Sequence, residues 1–252
     1  MNLKTFHLLL IFVLVSITSN SQSKKQFAKA KVSYTISIKP DKNQGVYKIH
    51  EKYSPGLTER VEKVSSELEF SLVFNDTISL FYLEKKLFSD DRAAFSAISH
   101  SGYYGRINQQ SKAFVTEELQ EDFGKFLVIR PYQKWKLDDE TKIIGDFVCF
   151  KATTFFTTTN PKGKVFTHDF TAWYTPQLPY KFGPVGYGNL PGLIIELQGK
   201  DFTYGVKKIT FYDNSKMDKE NEIPKLKNLK SITEEEFEKL AADDEKRWRK
   251  QD

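Results

Sequence analysis

A mainly β fold, β-rich α+β, is what this sequence predicts: one large curved antiparallel sheet or half-barrel, with one short helix and a C-terminal helix. Three observations carry that expectation. Segment after segment alternates apolar and polar residues with a period of two, the pattern of half-buried antiparallel strands. The strand candidates follow one another with few helical stretches between them, which favours a single sheet over βαβ units. Both faces of some candidates are apolar or aromatic, as at Phe147, Phe150, Phe155 and Phe156. A curved sheet buried against a helix and loops on its concave side would explain that.

The elements follow in chain order. Val32, Tyr34, Ile36 and Ile38 alternate with Ser33, Thr35 and Ser37, a first strand. Gly45 to Tyr53 is a further strand candidate. Leu68, Phe70, Leu72 and Phe74 oppose Glu67, Glu69 and Ser71, and Asn75-Asp76-Thr77 turns the chain into Ile78, Leu80 and Tyr82. Ser89 to Ser99 predicts the short helix, with Ser89 as N-cap and Asp90-Asp91 behind it. Strands are expected at Lys112 to Thr116, Gly124 to Arg130 and Phe147 to Phe156. Phe166, His168, Phe170, Ala172 and Tyr174 then alternate with Val165, Thr167, Thr171 and Trp173. Leu193 to Gln198 and Thr203 to Tyr212 complete the sheet. The segment from Asp213 to Lys230 is polar and irregular, a linker around Ile223-Pro224. After it, Thr233 and Glu236 form a capping box, and Phe237 and Leu240 an apolar helix face. Acidic residues in the first turn and Lys246-Arg247 in the last suit the helix dipole, and Trp248 extends the apolar face to dock the helix end.

The expected organisation is a signal peptide over residues 1–21, one sheet domain over 22–212, and a linker with a C-terminal helix over 213–252, packed on or beside the sheet. Lys4 precedes an unbroken apolar run, Leu8 to Val15, and Ser19-Asn20-Ser21 offers small residues to a signal peptidase. The run is well short of the ~20 residues that span a bilayer. Cleavage after Ser21 would leave 231 of the 252 residues and lower the net charge from +5 to +4, because Lys4 is the only charged residue lost. The expected location is periplasmic or secreted, and the mature chain is not expected to be an integral membrane protein. Cys149, the single cysteine, sits in an apolar strand-like run and reads as a small buried hydrophobe. Basic and acidic residues alternate along most of the chain, which argues against nucleic-acid binding and leaves at most a weak attraction to anionic headgroups or polysaccharide.

One stretch is distinctive. Trp135-Lys136-Leu137 leads through Asp138 to Gly145 into the strand bearing Cys149 and Lys151-Ala152-Thr153. Ala172-Trp173-Tyr174-Thr175-Pro176 and Leu178-Pro179 come next, then Gly183-Pro184, then Asn189-Leu190-Pro191-Gly192-Leu193-Ile194. This combination resembles the signature of the GLPGLI family, exported proteins of Gram-negative bacteria with no established biochemical activity. The resemblance implies an exported β-rich protein and no reaction, and the architecture is similar at fold level to the half-barrel of periplasmic lipoprotein carriers. Asn189 stands where the family has glycine, and asparagine is the next best residue at positive φ. Read physically, the stretch is a turn and strand entry that wedges Leu190 and Leu193 into the core. As a functional site it would be a backbone-lined ligand or partner surface: Trp173, Tyr174, Gly183, Pro184, Tyr187, Asn189, Leu190, Pro191 and Gly192.

No G-x-S-x-G elbow, H-E-x-x-H, P-loop or Rossmann glycine pattern occurs. His50, His100 and His168 are isolated, and His168 and Asp169 point to opposite faces of one strand. Asp90-Asp91 and Asp138-Asp139-Glu140 lack the spacing of a calcium loop and read as solvated turns. No catalytic residue, metal or cofactor is expected. Tyr103-Tyr104 reads as an exposed aromatic pair suited to a sugar or a partner. The leading expectation is non-enzymatic binding of an apolar small molecule or lipid, in a cavity beneath the C-terminal helix. A protein–protein interaction module of outer-membrane transport machinery would instead show an exposed apolar patch or an unpaired sheet edge. A hydrolase assembled from His168, Asp169 and a serine would need nucleophile, base and orienter within hydrogen-bond reach.

Overall fold

The structure, a computed structural model, describes residues 29–41, 45–120, 124–159, 163–212, 223 and 225–248. The expected signal peptide, its cleavage site, Pro224 and the side chains of His50, Lys246, Arg247 and Trp248 lie outside this description. Among the described residues, no helix is long and apolar enough to cross a membrane.

Twelve described strands form one open sheet, whose outermost strands do not meet. In chain order they are β1 (Lys29–Ile38), β2 (Glu69–Phe74), β3 (Ser79–Leu83), β4 (Ile107–Gln109), β5 (Ala113–Gln120), β6 (Gly124–Pro131), β7 (Lys136–Ile144), β8 (Phe147–Thr159), β9 (Val165–Thr175), β10 (Leu193–Gln198), β11 (Phe202–Tyr212) and β12 (Lys230–Thr233). Across the sheet the order is β12-β6-β5-β4-β3-β2-β1-β11-β10-β9-β8-β7. The pairings are antiparallel except for β12, which lies parallel to β6. The predicted mainly β class with a large antiparallel sheet and few helices is therefore the observed one, open rather than closed.

Strand β1 sits at the centre because its alternating face is apolar throughout. Val32, Tyr34, Ile36 and Ile38 are buried, while the residues between them are partly or wholly exposed. Its partner β2 presents Phe70, Leu72 and Phe74 in register with Tyr34, Val32 and Ala30. Helices α2 (Leu57–Ser65) and α3 (Asp91–His100) cover this side through Leu57, Val61, Val64, Ala93, Ala94 and Ala97. Phe70 stacks on Phe81 at 5.4 Å, and both meet the edge of Tyr204 at 5.2 and 5.9 Å. Tyr204 donates its hydroxyl hydrogen to the carbonyl of Ser101, just past the end of α3, at 3.1 Å. The side beneath α2 and α3 is thus an interlocked aromatic core.

Helix α4 (Glu234–Trp248) begins at the expected capping box: Thr233 Oγ1 accepts from the Glu236 amide at 3.2 Å, and Glu236 accepts from the Thr233 amide at 2.8 Å. Two arginine–glutamate contacts fasten this end of the chain. Arg130 on β6 bridges Glu118 at 2.9 Å and Glu234 at 3.2 Å. Arg106 clasps the buried Glu117 at 2.6 and 2.8 Å, and Glu117 also accepts from the Lys227 amide at 2.5 Å.

Several sequence expectations are corrected. Gly45 to Tyr53 is not a strand but helix α1 (Gly45–Tyr53). Tyr47 stacks on His100 of α3 at 4.8 Å, and Glu51, one turn further along, accepts from the amides of Gly56 and Thr58, both at 3.0 Å. Tertiary packing and this side-chain cap override the apparent alternation. The N-cap of α3 is Asp90, whose Oδ1 accepts from the Ala93 amide at 2.9 Å; Ser89 instead bonds Glu67. Asp138-Asp139-Glu140 is not a free turn but an irregularity within β7, where the register with β8 shifts between Leu137 and Thr141. Charges and a bulge on an outermost strand discourage pairing with another chain. Tyr103 is not an exposed partner of Tyr104: its ring packs against Phe70 and Phe81, while Tyr104 is exposed. Lys230 belongs to β12 rather than to the linker.

Candidate functional site

The signature stretch folds as a tight loop threaded through the core. Gly183 is extended, Pro184–Gly186 form a single 3-10 turn, and Leu193 enters β10. Asn189 adopts φ 60, the left-handed conformation its residue type suits. Val185 also lies at positive φ (45), which is strained for a β-branched residue, and the surrounding packing holds it there. Leu190, Leu193 and Ile194 are buried. A Cβ on Gly192 would stand 2.1 Å from the carbonyl oxygen of Thr175, so the two backbones meet only because this residue is glycine.

Several of the loop's polar backbone groups are taken up by side chains from distant parts of the chain. Gln109 is wholly buried on β4; its Oε1 accepts from the Gly183 amide at 3.2 Å and from the Ser79 hydroxyl at 3.1 Å. Its Nε2 donates to the Tyr187 carbonyl at 2.9 Å. Trp135 Nε1 donates to the Gly188 carbonyl at 2.8 Å. The Tyr34 hydroxyl donates to the Ile194 carbonyl at 2.5 Å, where β10 bulges between Ile194 and Glu196. Burial raises the Tyr34 and Tyr187 phenols well above their ordinary range, so both stay neutral. Gln109 carries no signal in the sequence, being one amide in Asn108-Gln109-Gln110.

Trp173 and Tyr174 are neighbours on β9 and face opposite sides of the sheet. Trp173 lies beneath Lys142 Nζ at 4.3 Å, and that lysine bridges Glu196 at 2.8 Å. Cys149 pairs with Lys142 across β8 and β7; burial pushes its thiol up to about 11, despite the opposing effect of the lysine charge. Tyr174 packs on Phe150 at 6.1 Å and faces Ile194 in register. The nine residues expected at a site therefore divide: Trp173 is on one face, Tyr174 on the other, and Gly183 to Gly192 make a loop with Tyr187 and Leu190 turned inward.

An open cleft of about 910 Å³ lies beside that loop, and of the nine expected residues only Asn189 lines it. Its remaining walls come from connections at one end of the sheet and from Phe211 of β11. Leu178, Pro179, Tyr180 and Phe182 form one wall, with Tyr132 and Phe211 as further aromatic surface. Asp76, Thr77, Gln110, Ser111, Gln177 and Lys181 supply polar groups. Tyr180 and Phe182 are braced from below by Phe74 at 4.7 and 5.5 Å. Tyr132 donates to the Gln110 carbonyl at 2.6 Å, and burial pushes its phenol up to about 12. The cleft is not beneath α4, where the sequence reading placed a cavity. Residues from four separate connections and from β11 build it, so no local pattern marks it.

His168 Nε2 lies 2.9 Å from the Thr158 hydroxyl and stacks on Phe156 at 4.7 Å, while Asp169 is registered with Phe155 on the other face. His168 and Asp169 are thus kept apart by strand alternation. His100 Nδ1 contacts the Ser96 carbonyl at 2.6 Å. No group of three or more His, Cys, Asp or Glu side chains is placed to hold a metal ion among the described residues.

No curated protein matches the chain. Among solved structures it is similar to PNGF-II in two crystal forms, with 13% identity over 86% of this chain in each. The TM-scores are 0.50 for the P21 form and 0.49 for the C2 form. The chain spans about a third of the length of those PNGF-II chains, 34% and 33%. Likeness at this identity bears on the fold alone. Residues 163–196, which run from β9 through the signature loop into β10, match a family described as a protein of unknown function (Porph_ging).

Proposed function

We propose that this chain is an exported envelope protein of the GLPGLI type, periplasmic or secreted, that binds an apolar small molecule or lipid without transforming it. The supporting observation is the open cleft. Its volume, about 910 Å³, lies within the roughly 300–1,000 Å³ typical of small-molecule sites. Its wall of Leu178, Pro179, Tyr180 and Phe182 with Tyr132 and Phe211 removes apolar ligand surface from water. The amides of Gln110, Gln177 and Asn189 fix orientation at the rim. In this reading the signature loop is the wall's support: its own carbonyls are occupied by Gln109, Trp135 and Tyr34, which leaves the loop rigid behind the ligand.

Titration with a dansylated undecanoic acid tests this reading. Saturable fluorescence enhancement is expected with the wild type and strong weakening in Leu178→Asp, which puts a charge into the apolar wall. Non-saturable binding, or saturable binding indifferent to Leu178→Asp, would remove the cleft from consideration.

A further inference from the structure

The lining of the cleft is segregated by origin. Its apolar wall, Leu178, Pro179, Tyr180 and Phe182, belongs to the connection between β9 and β10. Four polar residues come instead from two hairpin turns. Asp76 and Thr77 lie between β2 and β3, and Gln110 and Ser111 between β4 and β5. Ser79, the first residue of β3, is registered with Gln109, the last of β4, so the two turns stand side by side at one end of the sheet.

Both turns are held from within, and their polar tips are exposed. Asn75 Oδ1 accepts from the amides of Thr77 and Ile78 at 2.9 and 3.0 Å, and from the Thr77 hydroxyl at 3.0 Å. The backbone amide of Gln110 donates to the Ala113 carbonyl at 3.0 Å, and its side-chain Nε2 donates to Asn108 Oδ1 at 2.9 Å. That leaves Gln110 Oε1 to accept from a ligand. The charge of Asp76 is felt at the apolar wall: burial first, and the Asp76 carboxylate second, raise the Tyr180 phenol above its ordinary value.

These groups select among ligand heads. Asp76 only accepts and Lys181 only donates, whereas Thr77, Gln110, Ser111, Gln177 and Asn189 are neutral groups that carry both capacities. A pure hydrocarbon would strip water from all of them and return no hydrogen bond. A carboxylate or phosphate head gains Lys181 and is repelled by Asp76, and an ammonium head meets the reverse. A zwitterion engages both charges and leaves the neutral groups unmatched. A cluster of hydroxyls, each donating and accepting, satisfies the whole set. We infer that the ligand of the cleft is a sugar-headed amphiphile, its uncharged polyhydroxyl head against the two hairpin turns and its hydrocarbon chain along Leu178 to Phe182. This rests on the cleft reading above and names the head group of its ligand.

Displacement of the dansylated undecanoic acid by decyl chains that differ only in head group tests this, with every competitor kept below micelle formation. Decyl maltoside is expected to displace the probe at about tenfold lower concentration than decanoate or decylphosphocholine, and maltose without a chain is expected not to displace it. Asp76→Ala is expected to weaken decyl maltoside about tenfold, as one hydrogen bond to a charged group is lost, while decanoate, freed of a like charge, binds no more weakly. Gln110→Ala, in the other turn, is expected to weaken decyl maltoside about threefold. Both side chains are exposed, so wild-type melting curves are expected and separate loss of binding from loss of fold. Equal displacement by the three heads, or preference for a charged or zwitterionic one, overturns the inference and leaves the cleft reading standing. So does a glycoside preference that both variants retain in full. Maltose as effective as decyl maltoside also overturns it, by dispensing with the chain. A wild type that does not bind the probe at all removes the cleft reading, and this inference with it.

Discussion

Gln109 on β4 donates from Nε2 to the carbonyl of Tyr187, 78 residues further along the chain, at 2.9 Å. The same side chain accepts from the Gly183 amide, so one buried amide closes both ends of the turn at the heart of the signature stretch. Replacing it with leucine leaves two backbone groups and the Ser79 hydroxyl without their partner. Each buried group so orphaned costs on the order of 1–3 kcal/mol, and partial relaxation brings the expected loss for Gln109→Leu to about 3 kcal/mol. Urea unfolding of the two proteins measures it, and a loss below about 1 kcal/mol would show that the clasp is not what holds the loop.

Gly192 and Asn189 are expected to behave in opposite ways. Gly192→Ala drives a methyl into the Thr175 carbonyl and forces the two backbones apart, at a cost of about 3 kcal/mol. Asn189→Gly keeps the left-handed turn at φ 60 and is expected within about 0.5 kcal/mol of the wild type, whereas Asn189→Ala costs about 1 kcal/mol. Thermal melts of the three variants check the order.

Acid is expected to release the C-terminal segment before the sheet. Burial by itself would raise the Glu117 carboxyl, but the Arg106 hydrogen bonds and the Lys227 amide outweigh it and hold the group below its ordinary value. A folded pKa below the unfolded one means that stability is fully present above the unfolded carboxylate range and is lost as pH falls through the folded pKa. Amide exchange at residues 225–233 should therefore accelerate below about pH 4, the lower end of the ordinary carboxylate range. Glu117→Gln should show the fast exchange already at pH 7.

Cys149 is expected to resist thiol reagents in the folded state. Its side chain is buried, and burial pushes the thiol up to about 11, so the reactive thiolate is scarce at pH 8. Labelling with an aromatic disulfide reagent should be slow in buffer and complete in guanidinium. Fast labelling of the folded protein would contradict the packing around β7 and β8.

The sheet was legible where one face of a strand is buried. Val32 to Ile38 and Leu193 to Gln198 announce themselves because every inward position is apolar. Gly45 to Tyr53 misleads because Tyr47 and Ile49 alternate with Lys48 and His50, while the helix is set by the contact of Tyr47 with His100 and by Glu51 capping the next helix. Helix α2 has a local signal, with Leu57, Val61 and Val64 about one turn apart behind Pro55-Gly56. The signature loop was visible as a turn with Asn189 at positive φ, but its clasp was not. Gln109, Trp135 and Tyr34 lie 53 to 160 residues from the groups they satisfy. The cleft was hidden for the same reason, since its walls come from separate connections and from β11 and become neighbours only when the sheet forms.

Native mass spectrometry of the protein purified from its native cells tests the central claim most directly. The cleft reading predicts a copurifying small molecule or lipid, seen as a mass increment that organic extraction removes and that Leu178→Asp lacks. A wild-type chain carrying no increment, or an increment unchanged by Leu178→Asp, would contradict it.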